Sequence, residues 1–124
     1  MNKLIGSNSR IEGSDVLFEA GRRLSEKKKI IRSKPVISII TVVKNNDQYL
    51  EETIKSVLNQ TYNQIEYIIV DGGSKDNSLD IIKKYSDQID YAVSQNDKSL
   101  WDAINKGLSL ATGDLIGIVN SDDT

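Results

Sequence analysis

The stretch VISIITVV at residues 36–43 is a nearly continuous run of apolar, mostly β-branched side chains. Such a run is typical of a β-strand that is buried on both faces, as the strands of a parallel sheet are. Pro35 stands directly before this stretch and favours an extended backbone at the residue that precedes it. The stretch therefore predicts a central parallel strand that begins near residue 36.

Strands and helices alternate along the rest of the chain. Three further apolar runs predict strands at residues 65–70, 91–94 and 115–119. Between the strands, apolar residues at helical spacing predict helices at about residues 46–60, 76–86 and 99–111. Such alternation predicts an α/β fold, with a parallel sheet, alternating helices and right-handed crossovers.

Composition limits what the chain can be. With 124 residues, 38% hydrophobic and 27% charged, it fits one modest globular core. No apolar stretch approaches the roughly 18 residues of a membrane span, and the polar N-terminus lacks the pattern of a secretory signal. We therefore expect a cytoplasmic protein. Because the chain has neither Cys nor His, a metal ion must bind oxygen ligands.

Charge is unevenly distributed. Residues 1–34 contain nine Lys or Arg against four Asp or Glu, whereas residues 35–124 contain seven against fourteen. We expect residues 1–34 to be a basic leader or linker, with an amphipathic helix at Asp15–Lys29, and residues 35–124 to be the folded domain. A weak contact with anionic lipid, as in peripheral membrane association at the inner face of the membrane, or with a partner protein is the alternative for this leader. The acidic remainder argues against a nucleic-acid partner.

Polar residues lie at or after the ends of the predicted strands, where ligands bind in parallel sheets. They are Thr41, Asn45, Asp71, Asp97, Asp122 and Asp123. The adjacent carboxylates of Asp122 and Asp123 suit a hard cation that bridges a diphosphate, although two acids in a turn are more often only a solvated turn. Asp71 is followed by Gly-Gly-Ser, which suits either a nucleotide contact or a plain strand-to-helix turn.

One aromatic residue could serve as a platform for a ligand. Trp101 lies in the last predicted helix, in which Leu100, Ile104, Leu108 and Ala111 form one apolar side. A single aromatic on a helix is more often part of the core, and we expect that here.

Taken in order, these segments resemble family 2 glycosyltransferases, whose catalytic domains have the GT-A fold. The segments are VISIITVVKN (36–45), SVLNQTY (56–62), IIVDGGSKDNS (68–78), SQNDK (94–98), DAINKG (102–107), ATGD (111–114) and NSDD (120–123). They cover residues 36–123 in the order of the family. The chain departs from the family at Lys44, Gln95 and Ser99, which leaves the identity of the donor open.

The resemblance implies an inverting glycosyltransferase that uses a nucleoside-diphosphate sugar, with UDP-sugar as the expected donor and a glycan or lipid-linked acceptor, as in polysaccharide biosynthesis. It implies Thr41 and Asp71 near the base, Asp97 lining the same pocket, Asp122 at the ribose and Asp123 as the ligand of Mn²⁺ or Mg²⁺. Asn45 flanks the strand end where the nucleotide would be reached. The general base is expected beyond Thr124, so no catalytic residue is assigned within the chain.

Two alternatives to an enzyme remain. A non-catalytic nucleotide-sugar-binding fragment would carry the same site. A receiver or dinucleotide-binding module is disfavoured, because no acid pair and no Gly-x-Gly-x-x-Gly follow the first strand. We also expect the chain, taken as the donor half alone, to be incomplete at its C-terminus, inactive in sugar transfer, marginally stable and prone to self-association through residues 115–119.

Overall fold

The structure is a computed structural model, and it describes residues 16–25, 35–96 and 99–120. The elements in chain order are β1 (Val16–Ala20), α1 (Arg22–Ser25), β2 (Ile37–Val43), α2 (Asp47–Leu58), β3 (Ile65–Asp71), α3 (Ser78–Lys84), a 3-10 turn (Ser86–Gln88), β4 (Tyr91–Gln95), α4 (Leu100–Leu110) and β5 (Leu115–Asn120). From β2 onward, every predicted strand and helix is present close to its expected position. Within the described residues, no helix has the length and apolar character that a membrane crossing requires.

The five strands form one sheet in the order β1-β4-β3-β2-β5. β2 is parallel to both of its neighbours, β3 and β5, and β4 is parallel to β3. This confirms the predicted α/β fold with parallel strands that alternate with helices. β1, however, runs antiparallel to β4. The sheet is therefore mixed, because a strand that the sequence analysis did not predict joins it at this edge.

The predicted helix at Asp15–Lys29 is wrong where the structure describes it. Its first described part is the strand β1, and only the four residues of α1 are helical. Gly21, at φ +115°, turns the chain between the two elements, and a side chain there would meet the carbonyl oxygen of Asp90 at 2.7 Å. Pairing with β1 satisfies backbone groups along the outer edge of β4. Helical spacing in the sequence carries no information about that distant partner.

Residues 16–25 belong to the sheet and its core rather than to a solvated leader. Phe18 and Ala20 pack against an apolar cluster of the sheet, and Arg23 is only 7% exposed. Residues 1–15 and 26–34 lie outside the described residues, so the leader or linker interpretation remains a prediction there.

Two apolar clusters cover the two faces of the sheet. On one face, Leu50, Ile54 and Val57 of α2 and Ile82 of α3 pack with Val43, Tyr67, Ile69 and Ala92 of the strands. On the other face, Ala103 and Leu110 of α4 pack with Ile40, Val42, Ile68, Val70, Tyr91 and Val93. The central strands are thus apolar on both faces because helices cover both.

The side of α4 that faces the sheet overlaps the predicted apolar side only in part, since Ile104 and Ala111 pack against the core whereas Leu100 and Leu108 do not. Leu100 and Leu108 are 50% and 41% exposed, whereas Ala103 and Gly107 are buried. A Cβ at Gly107 would lie 2.5 Å from Cγ2 of Ile40, so a glycine lets the helix lie this close to β2. The side of α4 that carries Gly107 is buried because its backbone lies close to β2. The pattern of apolar residues in the sequence does not reveal this contact.

β5 forms the second edge of the sheet and exposes apolar side chains. Leu115, Ile116 and Ile118 are 61%, 48% and 45% exposed. Among the described residues, β5 pairs with a strand on one side only, through β2. This confirms the expected exposure of apolar surface at this strand, and the self-association that it favours remains a prediction.

Candidate functional site

The loops that follow β2, β3 and β4 begin at one edge of the sheet, here called the carboxyl edge. Val43 at the end of β2 is in register with Asp71 at the end of β3, and Asp71 is in register with Ser94 of β4. Because these strands are parallel, their following residues start side by side. The predicted convergence is confirmed for Asn45 and Asp71.

Asp71 is fully buried and accepts hydrogen bonds from four donors. The backbone N–H groups of Gly73 and Ser74 donate to its Oδ2 at 2.9 and 2.8 Å, and the Ser94 hydroxyl donates to the same oxygen at 2.7 Å. The Ser74 hydroxyl donates to Oδ1. Among the described residues, no cation pairs with this carboxylate. These contacts are those of a strand-to-helix turn, and the role of Asp71 in nucleotide binding remains a prediction.

Asn45 joins the loop after β2 to the loop after β3. It has a left-handed backbone with φ of 50°, which Asn tolerates better than most residues. Its backbone N–H donates to the Ser74 hydroxyl at 2.8 Å, and its side-chain oxygen accepts from the N–H of Lys75 at 2.7 Å. The two loops therefore hold one fixed relative position.

Thr41 lies below this edge, inside the core. It is fully buried, and its hydroxyl is 2.9 Å from the Tyr67 hydroxyl. Burial raises the pKa of Tyr67, an effect that the hydrogen bond with Thr41 partly offsets. The structure thus does not bring the Thr41 side chain to the surface of the carboxyl edge.

A second pair of contacts, which the sequence did not reveal, locks α2 to α3. The N–H of Asp47 donates to Asp76 at 3.0 Å, and the N–H of Asn77 donates to Asp47 at 3.0 Å. Asp76 also accepts from the N–H of Ser78 at 2.9 Å. Burial alone would raise the pKa of Asp76, but hydrogen bonds from Ser78 and from backbone groups outweigh it and lower the pKa. The first N–H of α2 is thus bonded to a carboxylate of the loop before α3, and the N–H of Asn77, directly before α3, is bonded to a carboxylate of α2.

The loop after β4 touches the loop after β3. Gly73 has φ of +88°, and a side chain there would collide with the amide of Asn96. Ser94 and Asn96 therefore belong to this edge, although the sequence drew attention only to Asp97. Asp97 itself lies outside the described residues, so its predicted place in the pocket remains a prediction.

α4 begins at the same edge and carries an exposed aromatic ring. Ser99 caps the helix, since its hydroxyl accepts from the N–H of Asp102 at 3.2 Å. Trp101 is 71% exposed, so the expectation that it belongs to the core is wrong. Its side chain lies on the side of α4 away from the buried Ala103 and Gly107, which explains the exposure.

The residues predicted to bind the diphosphate and the metal follow β5 in the sequence. Asp122 and Asp123 lie outside the described residues, and β5 ends at Asn120, which pairs with Val42 near the carboxyl edge. Within the described residues, no group of three or more acidic, His or Cys side chains is arranged to hold a metal ion.

The opposite, amino edge of the sheet holds a second buried carboxylate that the sequence analysis missed. Glu66 accepts from the Arg23 guanidinium at 2.7 Å, from the Ser38 hydroxyl at 2.8 Å, and from both the N–H and the hydroxyl of Thr112 at 2.8 and 2.7 Å. A charged residue inside the otherwise apolar run 65–70 was the available signal, because a buried charge requires a partner.

Comparisons with known proteins agree with this arrangement. A family model described as Glycosyl transferase family 2 matches residues 38–124. The putative glycosyltransferase EpsH of Bacillus subtilis (strain 168) is 36% identical over 91 residues, which are 72% of this chain and 26% of that protein.

Two solved structures share the fold. S. aureus TarS 1–349, in complex with UDP-GlcNAc, superposes with a TM-score of 0.64 at 26% identity, over 70% of this chain and 26% of that chain. The mannosyltransferase PcManGT from Pyrobaculum calidifontis, in complex with GDP-Man and Mn²⁺, has a TM-score of 0.65 at 21% identity, over 72% of this chain and 28% of that chain.

This chain spans about a quarter of the length of EpsH and of each of these two solved chains. Its described strands and helices have the arrangement of GT-A enzymes. The match over residues 38–124, together with that arrangement, makes the chain a member of glycosyl transferase family 2.

Proposed function

We propose that this chain provides the nucleotide-sugar-binding part of an inverting glycosyltransferase. The observation that carries the proposal is the convergence of the loops after β2, β3 and β4 at the carboxyl edge, to which β5 also leads. Ligands of α/β sheets bind at this edge. S. aureus TarS was solved in complex with UDP-GlcNAc and with UDP, which supports a UDP-sugar as the donor.

The nucleoside end of the donor lies, in this proposal, against the loops after β2 and β3. Asn45 and Asp71 shape that place, and Thr41 supports it from below. Asp97 lines the same crevice, and Asp122 contacts the ribose. The fixed geometry of Asn45 and Asp71 supports this assignment, because the Ser74 hydroxyl accepts a hydrogen bond from Asn45 and donates one to Asp71.

Asp123 is proposed to hold Mn²⁺ or Mg²⁺. Oxygen ligands are what a chain without His or Cys can offer, and carboxylates suit these hard cations. The resemblance to family 2 glycosyltransferases assigns this role to Asp123, and the carboxylate of Asp71 is already bonded to four donors. When bound, the ion offsets the negative charge that develops on the leaving diphosphate.

The acceptor is proposed to be a glycan or a lipid-linked saccharide, at a cytoplasmic site that includes the inner face of the membrane. The alternative is a non-catalytic protein that binds the nucleotide sugar at the same place. An assay of donor consumption, with the product identified by mass spectrometry, separates the two. Transfer of the sugar to an added acceptor would support the transferase, and donor binding without turnover would support the non-catalytic alternative.

Titration calorimetry with UDP tests the proposal. We expect tighter binding with Mn²⁺ than with EDTA, because Asp123 and the diphosphate together supply oxygen ligands to the ion. Asp123→Asn should remove the dependence on Mn²⁺. Asp80→Asn, an exposed acid on α3, is the matched control and should leave it intact. Equal affinity in Mn²⁺ and in EDTA would rule out the metal role.

A further inference from the structure

The carboxylate of Asp71 is closed off within the turn that it shapes. Its side chain is fully buried, and its two oxygens accept four hydrogen bonds. A carboxylate offers about four lone-pair positions to donors. Three of these bonds converge on Oδ2 and one on Oδ1, and the side chain has no exposed surface, so a nucleotide could reach this carboxylate only if the turn opened.

These four bonds hold the loops of the carboxyl edge together. Two of them fix the N–H groups of Gly73 and Ser74 in a turn where Gly73 has φ of +88°, a conformation that glycine adopts without strain. The Ser74 hydroxyl donates to Asp71 and also accepts from the N–H of Asn45, in the loop after β2. The Ser94 hydroxyl ties β4 to the same carboxylate.

We infer that Asp71 is a positioning residue of the nucleotide site: it holds the loops after β2 and β3 in place for the nucleotide and does not touch the nucleotide itself. The inference rests on the proposed function, since it assigns a role within that site. The exposed side chains at the edge, Asn45 and Asn96, carry amide groups. An amide both donates and accepts, which suits the edge of a base.

Base selectivity distinguishes positioning from direct contact. The experiment measures the affinities of UDP and CDP in Mn²⁺ for the wild-type chain, Asp71→Asn and Ser94→Ala. Ser94 is fully buried and its hydroxyl bonds to Asp71, so a nucleotide cannot contact the site of the second change. Asp80→Asn serves as the control.

Positioning predicts that Asp71→Asn weakens UDP and CDP alike, by about tenfold, because a weaker hydrogen bond to the turn lowers the fraction of chains that hold the loops in place for the nucleotide. Ser94→Ala should weaken both nucleotides in the same direction, and the ratio of the two affinities should stay near the wild-type ratio in both variants. Direct contact predicts that Asp71→Asn brings the ratio of the UDP and CDP affinities close to one, while Ser94→Ala changes neither affinity. That pattern would overturn the inference.

Hydrogen exchange in the nucleotide-free chain gives a second readout. Asp71→Asn should lose protection at the N–H groups of Gly73 and Ser74 while the strands keep theirs, because the carboxylate holds these two groups, and Ser94→Ala, which keeps the carboxylate, should lose less. Unchanged protection would contradict the positioning role. If the wild-type chain binds neither nucleotide, the proposed function and the inference both fail, whereas a ratio close to one in Asp71→Asn alone refutes only the inference.

Discussion

Two buried carboxylates lie at opposite ends of the sheet, Glu66 at the amino edge and Asp71 at the carboxyl edge. Each accepts four hydrogen bonds from described residues. Glu66 is neutralised by the guanidinium of Arg23, and both side chains are almost entirely buried. Asp71 has only neutral donors among the described residues, so its negative charge stays at the edge where the ligand is proposed to bind.

The origin of the donors also differs. Those of Glu66 come from residues 28, 43 and 46 positions away, so they connect α1, β2 and the loop before β5. Three of the donors of Asp71 come from residues two and three positions away, within its own turn. The amino edge is therefore a long-range anchor of the fold, whereas the carboxyl edge is a set of locally shaped loops. Binding sites are commonly built on loops that a rigid scaffold positions.

The largest effect is expected from removing the cation at the amino edge. Arg23→Met leaves Glu66 buried without its charge partner, and we expect a loss of about 3–5 kcal/mol in the free energy of unfolding, measured by urea titration. The double variant Arg23→Met, Glu66→Gln should recover part of the loss, because no unpaired charge remains. Lys84→Met, which breaks the exposed pair with Glu51, should have far less effect. Equal losses in Arg23→Met and Lys84→Met would contradict the anchoring role.

A smaller effect is expected from crowding the same anchor. A Cβ at Gly113 would lie 2.6 Å from the Ser38 hydroxyl and 2.7 Å from the carbonyl oxygen of Val36. Because backbone cannot move aside, we expect Gly113→Ala to cost about 1–3 kcal/mol in the free energy of unfolding. Gly117→Ala is the control, since nothing lies within 4 Å of the added carbon. A Gly113→Ala variant as stable as Gly117→Ala would show that the amino edge tolerates movement.

The smallest effect is a dependence of the carboxyl edge on pH. The pKa of Asp76 is lowered in the folded chain, so its contribution to stability is present above the ordinary pKa of Asp and is lost as the pH falls through the lowered value. We expect the difference in thermal midpoint between the wild type and Asp76→Asn to shrink as the pH falls below about 4. A difference that stays constant down to acidic pH would mean that the charge of Asp76 does not hold α2 to α3.

The sequence by itself predicted the elements from β2 onward and the edge at which the site lies. Apolar runs and helical spacing are local patterns, and parallel strands in succession bring their following loops to one edge without any knowledge of contacts. The same reasoning identified Asn45 and Asp71 as residues of that edge. The family resemblance over residues 36–123 agrees with the family match over 38–124.

Only the tertiary structure decided the pairing of β1 with β4, the burial of Arg23 against Glu66, the exposure of Trp101 and the enclosure of Asp71. Each depends on contacts between residues far apart in the chain, such as the 43 positions between Arg23 and Glu66 or the 23 between Asp71 and Ser94. Periodicity reports which side of an element is apolar, but it does not report which partner covers that side. The pairing of β1 with the outer edge of β4 and the close approach of Gly107 to Ile40 depend on the folded chain, because backbone hydrogen bonding and packing are satisfied only in three dimensions.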